Sequence, residues 1–425
     1  MSKLSCLELF AGAGGLAKGL EMAGIQHKAL VEINKNACQT LANNYPNQLI
    51  HNIDVRSFNF SQFGHIDIIS GGPPCQPFSI GGKHNGNTDQ RDMFPHACKA
   101  ISICTPKAFI FENVKGLLRK SFSNYFEYIL LRLTYPEVSC TESEAWQDHL
   151  IRLEKIHTSG KYNGVKYNVV FRLLDAANYG IPQRRERVFI VGIREDLNIA
   201  WSFPKESHSL DALLWSQFVS NDYWERHSIK PSSIEDVDTK TQQRIHQLTQ
   251  QPSLFAPPMK PWKTVRDQII DLPEPDLEGS FDSEHSLREG ARSYPGHTGS
   301  YIDLPSKTLK AGDHGVPGGE NMVRYQDGTI RYFTTLEAKR LQTFPDNYRI
   351  AGAWTESMRQ IGNAVPVELS YYIASSLSQA IASRVGTAHH TTHIPSPAPF
   401  LQRHRNYWQK AKKGACSSTL LMETE

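Results

Sequence analysis

The sequence has no apolar run of membrane-spanning length, and its first 20 residues lack the layout of a signal peptide. These absences exclude an integral membrane protein and favour a cytoplasmic one. The chain also lacks a strong charge of either sign, because 46 lysines and arginines face 43 acidic residues, for a formal net charge of +3. A mildly basic chain is compatible with a polyanionic partner but does not require one.

Cysteine is scarce as well. The chain contains seven, an odd number, and none of their spacings matches a zinc-binding pattern. This usage favours free thiols in a reducing compartment. One histidine cluster, HHTTH at residues 389–393, has the composition of a metal site. It lies in a polar, proline-containing tail, so we interpret it as solvated chain and expect no metal.

A glycine-rich loop lies near the start of the sequence. LSCLELF predicts a strand, LAKGLEMAG predicts an amphipathic helix, and Gly12 to Ala17 between them fits G-x-G-x-x-A. A second apolar run ends at Glu32, 20 residues after Gly12, the spacing of a carboxylate that binds ribose hydroxyls. A third predicted strand end carries Asp54, which suits an adenine amino group. The alternative is an ordinary tight turn, but the combination favours a nucleoside cofactor and leaves NAD and S-adenosylmethionine open.

One cysteine directly follows a conformationally restricted stretch of backbone. HIDIIS at residues 65–70 predicts a buried strand, and Gly71 to Pro74 end it directly before Cys75. Free cysteines are often small buried hydrophobes, which is the alternative interpretation. In open α/β sheets, however, ligands bind outside the carboxyl ends of the strands. We therefore expect Cys75 to be a presented nucleophile, an arrangement for which a dehydrogenase has no use.

Two further segments supply candidate charged groups. Glu112 ends the strand AFIFE, where partial burial would raise its pKa and let it carry a proton; the alternative is a helix-capping or solvated acid. In IPQRRER, alternation places Arg185 and Arg187 on one side and Arg184 and Glu186 on the other. The first pair suits an anion or a carbonyl oxygen. The alternative is a charged edge strand bridged by Glu186.

Six blocks follow one another along the chain: LELFAGAGG, GGPPCQPFS, ENVKGL, QRRERVFIVG, RLQTFPD and QIGNAVPVEL. In type and order they resemble the DNA (cytosine-5) methyltransferases of bacterial restriction–modification systems. The resemblance covers roughly residues 4–195 and 330–380, and other S-adenosylmethionine enzymes share only the first block. Two segments depart from it: residues 121–160, interpreted as an inserted helical excursion without chemistry, and the tail beyond about Thr387.

The resemblance implies a fold and a site. The fold would be α/β, a class I, Rossmann-like S-adenosylmethionine-dependent methyltransferase domain with a smaller inserted target-recognition domain. Cys75 would attack the cytosine ring, and Glu112 would hold N3 and the exocyclic amine. Arg187, supported by Arg185, would bind the O2 side. The residues implied to bind S-adenosylmethionine are Phe10, Gly12, Gly14, Gly15, Glu32, Asp54, Pro73 and Asn363.

The same resemblance implies double-stranded DNA as the substrate. Because the ring carbon C6 is unreachable inside a stacked duplex, the target base has to be flipped out. The polar, glycine-rich stretch from Ser79 to Phe94 would close over it. Candidate DNA contacts are Ser79, Lys83, Arg91, Gln183, Lys307 and Lys310.

These expectations divide the chain into a first catalytic part (1–195), a target-recognition domain (196–329), a return to the catalytic domain (330–385) and a tail (386–425). In residues 196–329 the hydrophobic periodicity fades while tryptophan, histidine, proline and lysine become frequent. The alternative for this segment is a polar, loop-rich domain that does not recognise DNA bases.

The expected activity is methylation of C5 of a cytosine in a short duplex site, by a monomer, protecting DNA from a restriction endonuclease encoded nearby. One alternative is a tRNA cytosine-5 methyltransferase, which shares the fold and the blocks. The RNA enzymes of this family have a compact variable segment, whereas this one is long. A more distant alternative is a catalytically silent DNA-binding regulator, which intact Cys75, Glu112 and Arg187 disfavour.

Overall fold

The computed structural model describes residues 3–74, 92–141, 144–250, 257–311 and 321–384. Residues up to Ile381 form one compact unit, and a second begins at Ala382, described only as far as Arg384. Among the described residues, no helix combines the length and apolar character needed to cross a bilayer. Several predicted positions lie outside the described residues: Cys75, Ser79, Lys83, Arg91, the histidine cluster and the tail 386–425.

A seven-stranded sheet forms the centre of the larger unit. Its strands are β1 (Ser5–Leu9), β2 (Gln26–Glu32), β3 (Ile50–Asn52), β4 (Ile68–Gly71), β5 (Ala108–Val114), β6 (Tyr167–Asp175) and β7 (Glu186–Arg194). Their order is β3-β2-β1-β4-β5-β7-β6, and only β7 runs antiparallel to its neighbours. The α/β, Rossmann-like prediction is therefore confirmed. The strand order reverses between β1 and β4, and ligands bind at such a switch point.

Helices cover the sheet and continue beyond it. They are α1 (Gly15–Met22), α2 (Lys35–Asn44), α3 (Phe94–Cys104), α4 (Ser123–Thr134), α5 (Trp146–Ser159), α6 (Leu210–Phe218), α7 (Asp222–His227), α8 (Thr239–Gln250), α9 (Val265–Ile269), α10 (Thr335–Leu341), α11 (Trp354–Asn363) and α12 (Val367–Arg384). Strand β1 is buried along its whole length, as expected of a parallel sheet covered on both faces.

The last described helix completes the core begun by the first. Leu16 and Leu20 of α1 share one buried cluster with Leu369 and Leu377 of α12. The closeness of the two helices is set at Gly19, where an added Cβ would lie 2.5 Å from the carbonyl oxygen of Val367. The predicted return of the C-terminal helix to the first part of the chain is thus present in the structure.

The region predicted as an insertion is in part an ordinary layer of the fold. In α4, Tyr125, Phe126 and Ile129 are buried, and the Phe126 ring packs edge-on against Phe171 of β6 at 4.8 Å. The prediction that the whole of 121–160 is an excursion is therefore wrong for α4. Its mixed polar sequence hides an apolar stripe at the spacing of a helix that covers a sheet.

Residues 196–329 contain short elements with little regular sheet. The strands are β8 (His208–Ser209), β9 (Lys260–Pro261), β10 (Ser300–Tyr301) and β11 (Met322–Arg324), and β12 (Ile330–Tyr332) follows. Two small apolar clusters belong mainly to this segment, one around Tyr223 and Trp224 and one formed by Leu214, Ile245 and Leu248. Ile302 and Val323, however, share a cluster with Ala13 and Leu41 of the first part. The segment is therefore packed into the larger unit.

Candidate active site

The glycine-rich loop joins β1 to α1 and is tied to the end of β2. Phe10 and Gly12 both have left-handed backbones, with φ of 57° and 53°. A non-glycine residue held there is strained, and such residues cluster at functional sites. The amide of Gly12 donates to Glu32 Oε2 at 2.8 Å, and the amide of Asn34 donates to Oε1 at 2.7 Å. Glu32 thereby fixes the first two loops at this end of the sheet.

The three glycines of the loop are needed for different reasons. A Cβ on Gly12 would meet nothing within 4 Å, so open space lies in front of it. A Cβ on Gly14 would lie 2.3 Å from the Tyr348 hydroxyl oxygen, and one on Gly15 would lie 2.2 Å from the Val365 carbonyl oxygen. Only Gly12 has the open approach that a ligand requires. Gly14 and Gly15 make room for the returning C-terminal segment.

The other residues predicted to bind the cofactor differ in how accessible their side chains are to a ligand. Asp54 caps a short turn and pairs with Arg56 through both carboxylate oxygens, 3.0 and 2.9 Å from Nε. These hydrogen bonds hold the pKa of Asp54 below its usual range. Asn363 is exposed beside Ala364, whose Cβ would be 3.2 Å from a Cβ on Gly15. Open space at Gly12, the Glu32 carboxylate and exposed Asn363 fit a nucleoside cofactor that carries ribose hydroxyls.

The chain on both sides of Cys75 is pinned at the neighbouring strand end. β4 ends at Gly71, and the buried Pro73 follows, its carbonyl accepting a hydrogen bond from Asn113 Nδ2 at 2.9 Å. The amide of Met93 donates to the Pro74 carbonyl at 3.1 Å. Pro74 and Met93, which stand on either side of residues 75–91 in the sequence, therefore lie next to each other. Asn113 was not assigned a role from sequence, although its position beside Glu112 was the available signal.

A buried ion pair lies next to this turn. Arg187 Nε lies 2.9 Å from Glu112 Oε1, and the two side chains are 15% and 11% exposed. Burial raises the pKa of the Glu112 carboxyl, and the charge of Arg187 offsets this only in part. A Cβ on Gly72 would be 3.4 Å from Glu112 Oε2, so the carboxylate faces the backbone that leads to Cys75. A carboxyl with a raised pKa at such a place is suited to carrying a proton.

The IPQRRER segment has the predicted alternation but is not at an edge. Arg185 and Arg187 are largely buried, whereas Arg184 and Glu186 face outward. β7 lies between β5 and β6, so the edge-strand alternative is wrong. Arg185 is 1% exposed, and its Nη2 donates to the Gly362 carbonyl at 2.8 Å. Its contacts are those of a side chain that positions neighbouring backbone.

Gln183 is fully buried, which corrects its prediction as a DNA contact. Its Nε2 donates to the Leu341 carbonyl at 3.3 Å, and its Oε1 accepts from the Leu309 amide at 3.1 Å. Lys307 and Lys310, in contrast, are exposed. Their strip of chain runs beside the IPQRRER segment, because Thr308 Oγ1 donates to the Arg184 carbonyl at 2.6 Å.

One cluster outside this site has the donor types of a metal centre. Cys140, Glu144 and His149 place a thiol, a carboxylate and an imidazole within 4.8 Å of one another. Burial lowers the pKa of His149 to about 4, so its imidazole ring is neutral near pH 7. A neutral ring has one donor and one acceptor nitrogen. Nε2 donates to a backbone carbonyl at 3.0 Å, and Nδ1 accepts from the Tyr128 hydroxyl at 2.9 Å. The Glu144 carboxylate pairs with Arg152 at 2.9 and 2.7 Å. His149 and Glu144 are thus already bonded to other groups of the protein. The bond between Tyr128 of α4 and His149 of α5 holds the two helices together.

Comparisons with known proteins agree on one family. The profile of the family described as C-5 cytosine-specific DNA methylase matches residues 4–135 and 148–379. The Type II methyltransferase M.Sau96I of Staphylococcus aureus is 32% identical over 376 residues, 87% of this chain and 74% of that protein. The Type II methyltransferase M.NgoMIV of Neisseria gonorrhoeae is 28% identical over 385 residues, 89% of this chain and 98% of that protein.

Solved structures agree in fold. The Schizosaccharomyces pombe Dnmt2 methyltransferase superposes with a TM-score of 0.53 at 18% identity, covering 90% of this chain and 99% of that one. The family profile runs through α4 and residues 196–329 and is interrupted only at residues 136–147. The departure predicted after Ser121 is therefore much shorter than expected.

Proposed function

The chain belongs to the C-5 cytosine-specific DNA methylase family, and we propose that it methylates a cytosine in a short duplex sequence through a covalent adduct with Cys75. The enzyme is a DNA (cytosine-5) methyltransferase whose cofactor is S-adenosylmethionine. The observation that carries the finer proposal is the buried pair of Glu112 and Arg187 beside the Gly72–Pro74 turn. This pair places an acid and a cation where the chain leads into the cysteine.

Cysteine is the residue type that the reaction needs. C5 of cytosine is a weak nucleophile, and addition of a thiolate at C6 makes the ring enamine-like at C5. S-Adenosylmethionine, when bound, supplies the electrophilic methyl group that C5 accepts. A base then removes the C5 proton, and the C6–sulfur bond breaks to release Cys75 as thiolate. The sequence offers no obvious side chain for that base, and an ordered water fits the step.

The ion pair supports the addition step. Glu112, with its pKa raised by burial, would protonate N3 as the sulfur adds, so that no unstabilised anion forms. Arg187 would stabilise the charge on O2. Arg185 would support Arg187, and its guanidinium also holds the backbone of Gly362. The target base reaches these groups only when flipped from the duplex.

For the cofactor, we propose that Glu32 binds the ribose hydroxyls and that the open approach at Gly12 admits the nucleoside. Phe10, Asp54, Pro73 and Asn363 would complete the pocket, as the family resemblance implies. Gly14 and Gly15 would shape it indirectly, by letting Tyr348 and Val365 pack behind the loop.

We further propose that residues 196–329 recognise the DNA sequence and that Lys307 and Lys310 bind the phosphate backbone of the DNA. Family membership favours DNA over the tRNA alternative. The named relatives are Type II methyltransferases, and from them we infer a partner restriction endonuclease and protection of the host DNA as the biological role. A cytoplasmic monomer suits that role.

The test is methyl transfer from labelled S-adenosylmethionine to unmethylated genomic DNA and, in parallel, to total tRNA, with the product read by bisulfite sequencing. We expect label in DNA at one short recurring motif. Label in tRNA alone would move the substrate to RNA. Absence of label from both would support the silent binding protein.

The covalent step has its own test. Cys75→Ser should abolish methyl transfer and leave the Kd for S-adenosylmethionine unchanged. A duplex with 5-fluorocytosine at the identified site should trap wild-type enzyme, because fluorine cannot leave as the C5 proton does. Activity of the serine variant within about tenfold of wild type would remove Cys75 from the nucleophile role, since losing such a group costs orders of magnitude.

A further inference from the structure

The turn that follows Glu112 carries an isolated concentration of positive charge. Residues 114–124 read VKGLLRKSFSN, with Lys115, Arg119 and Lys120 and no acidic residue. Lys115 pairs with Glu186 at 2.7 Å. Arg119 and Lys120 are exposed, and neither has an acidic partner within the part of the chain that the structure describes.

The turn is held in a fixed shape. It consists of two short 3-10 segments, Lys115–Leu118 and Lys120–Phe122. Leu117 is fully buried beneath it. The Arg119 amide donates to the Gly116 carbonyl at 3.1 Å, and Ser123 Oγ donates to the Lys120 carbonyl at 3.0 Å. The two free cations therefore project from an ordered backbone, so binding through them requires little ordering of the chain.

The turn lies at the end of the sheet where the target base must arrive. It leaves β5 at Val114, whose cross-strand partner is Arg187. The neighbouring strand β4 leads at the same end into Pro73, which Asn113 holds. A cytosine flipped towards Glu112 would bring the phosphates on either side of its sugar to this end of the sheet.

We propose that Arg119 and Lys120 bind backbone phosphates next to the flipped nucleotide, forming a DNA site outside the recognition segment. The inference rests on the DNA substrate of the proposed function and goes beyond it by naming where the backbone is held. Phosphate contacts give affinity and register but no base preference. The turn therefore contributes to binding every target equally, whatever residues 196–329 read.

The experiment compares wild type with the double variant Arg119→Gln/Lys120→Gln in binding a fluorescent duplex that carries the identified site. Each phosphate contact contributes about 0.9 to the slope of log Kd against log salt, so the double variant should lose about 1.8. Between about 50 and 200 mM salt its affinity should then fall roughly tenfold less than that of wild type. At saturating DNA, kcat and the Kd for S-adenosylmethionine should match wild type.

The matched control is Lys3→Gln/Lys28→Gln, which removes two exposed lysines, one just before β1 and one within β2. It changes the net charge equally and should leave the salt slope at the wild-type value. An Arg119→Gln/Lys120→Gln slope equal to that of wild type overturns the proposal, as does an equal loss of slope in the control. Failure of the proposed function is a separate result, because then wild-type enzyme methylates no DNA.

Discussion

Loss of the Arg187 charge beside Glu112 should make the stability of the enzyme depend more steeply on pH. Arg187→Met keeps an unbranched apolar side chain and removes the charge that lies 2.9 Å from the carboxylate. Burial already raises the pKa of Glu112, and loss of Arg187 raises it further. An unpaired buried carboxylate takes up a proton in preference to remaining charged. Breaking the pair therefore costs the free energy of protonating Glu112 in the folded state.

That cost depends on pH. Protonating a carboxyl costs about 1.36 kcal/mol for each pH unit above its pKa. For an ordinary pKa of ~4.3, the cost is about 3.7 kcal/mol at pH 7 and about 1 kcal/mol at pH 5. The figure at pH 7 agrees with the ~3–5 kcal/mol for breaking a buried pair. Between the unfolded pKa and the raised folded pKa, the folded state binds the extra proton. Stability of the variant therefore falls as pH rises through that window.

The assay is urea unfolding of wild type and Arg187→Met at pH 5 and pH 7. Relative to wild type, the variant should be less stable at pH 7, and the deficit should shrink by up to ~2.7 kcal/mol at pH 5. The control is Lys115→Met, which breaks an exposed pair, with side chains 60% and 38% exposed, and should cost only ~0–1 kcal/mol. A deficit of Arg187→Met that is equal or larger at pH 5 would refute the reasoning.

Three further outcomes are expected. Gly19→Ala should lower the urea midpoint, because a Cβ 2.5 Å from the Val367 carbonyl costs ~1–3 kcal/mol of overpacking against ~1 kcal/mol of helix propensity gained; a higher midpoint would contradict this. Gln183→Ala should cost ~1–3 kcal/mol by leaving the Leu309 amide unpaired, with an unchanged salt slope of DNA binding; a reduced slope at full stability would return Gln183 to the DNA interface. Glu32→Ala should raise the Kd for S-adenosylmethionine, measured by titration calorimetry, by on the order of tenfold or more, and unchanged affinity would exclude Glu32 from the pocket.

The sheet was predictable because its signals are local. β2 ends at an acid, Glu32, and β4 ends at a glycine, Gly71, and the next loop begins at each of these residues. Glu112 could be identified for the same reason, since it stands near the end of β5. Helix α4 carried its signal too, because Phe126 and Ile129 stand three positions apart on its buried face. Its mixed charge led to the wrong prediction.

The remaining features depend on contacts between distant parts of the chain. Sequence cannot reveal that Val365 packs on Gly15 or that the Tyr348 hydroxyl bonds the Ala13 carbonyl at 2.7 Å. The burial of Gln183 likewise depends on a segment far away in sequence, because the residues around Leu309 cover it. An exposed loop and a covered one have the same composition until the covering segment is known.

The packing of α12 on α1 also constrains how the enzyme is made. The cluster that contains Cys6, Leu16 and Leu20 is completed by Leu369 and Leu377, which are translated after the whole variable segment. At about 5–20 residues per second, the early strands wait on the order of tens of seconds for their final covering layer. Until then the nascent chain exposes this apolar surface. A ribosome that stalls within the variable segment therefore yields an aggregation-prone fragment and not a partly active methyltransferase.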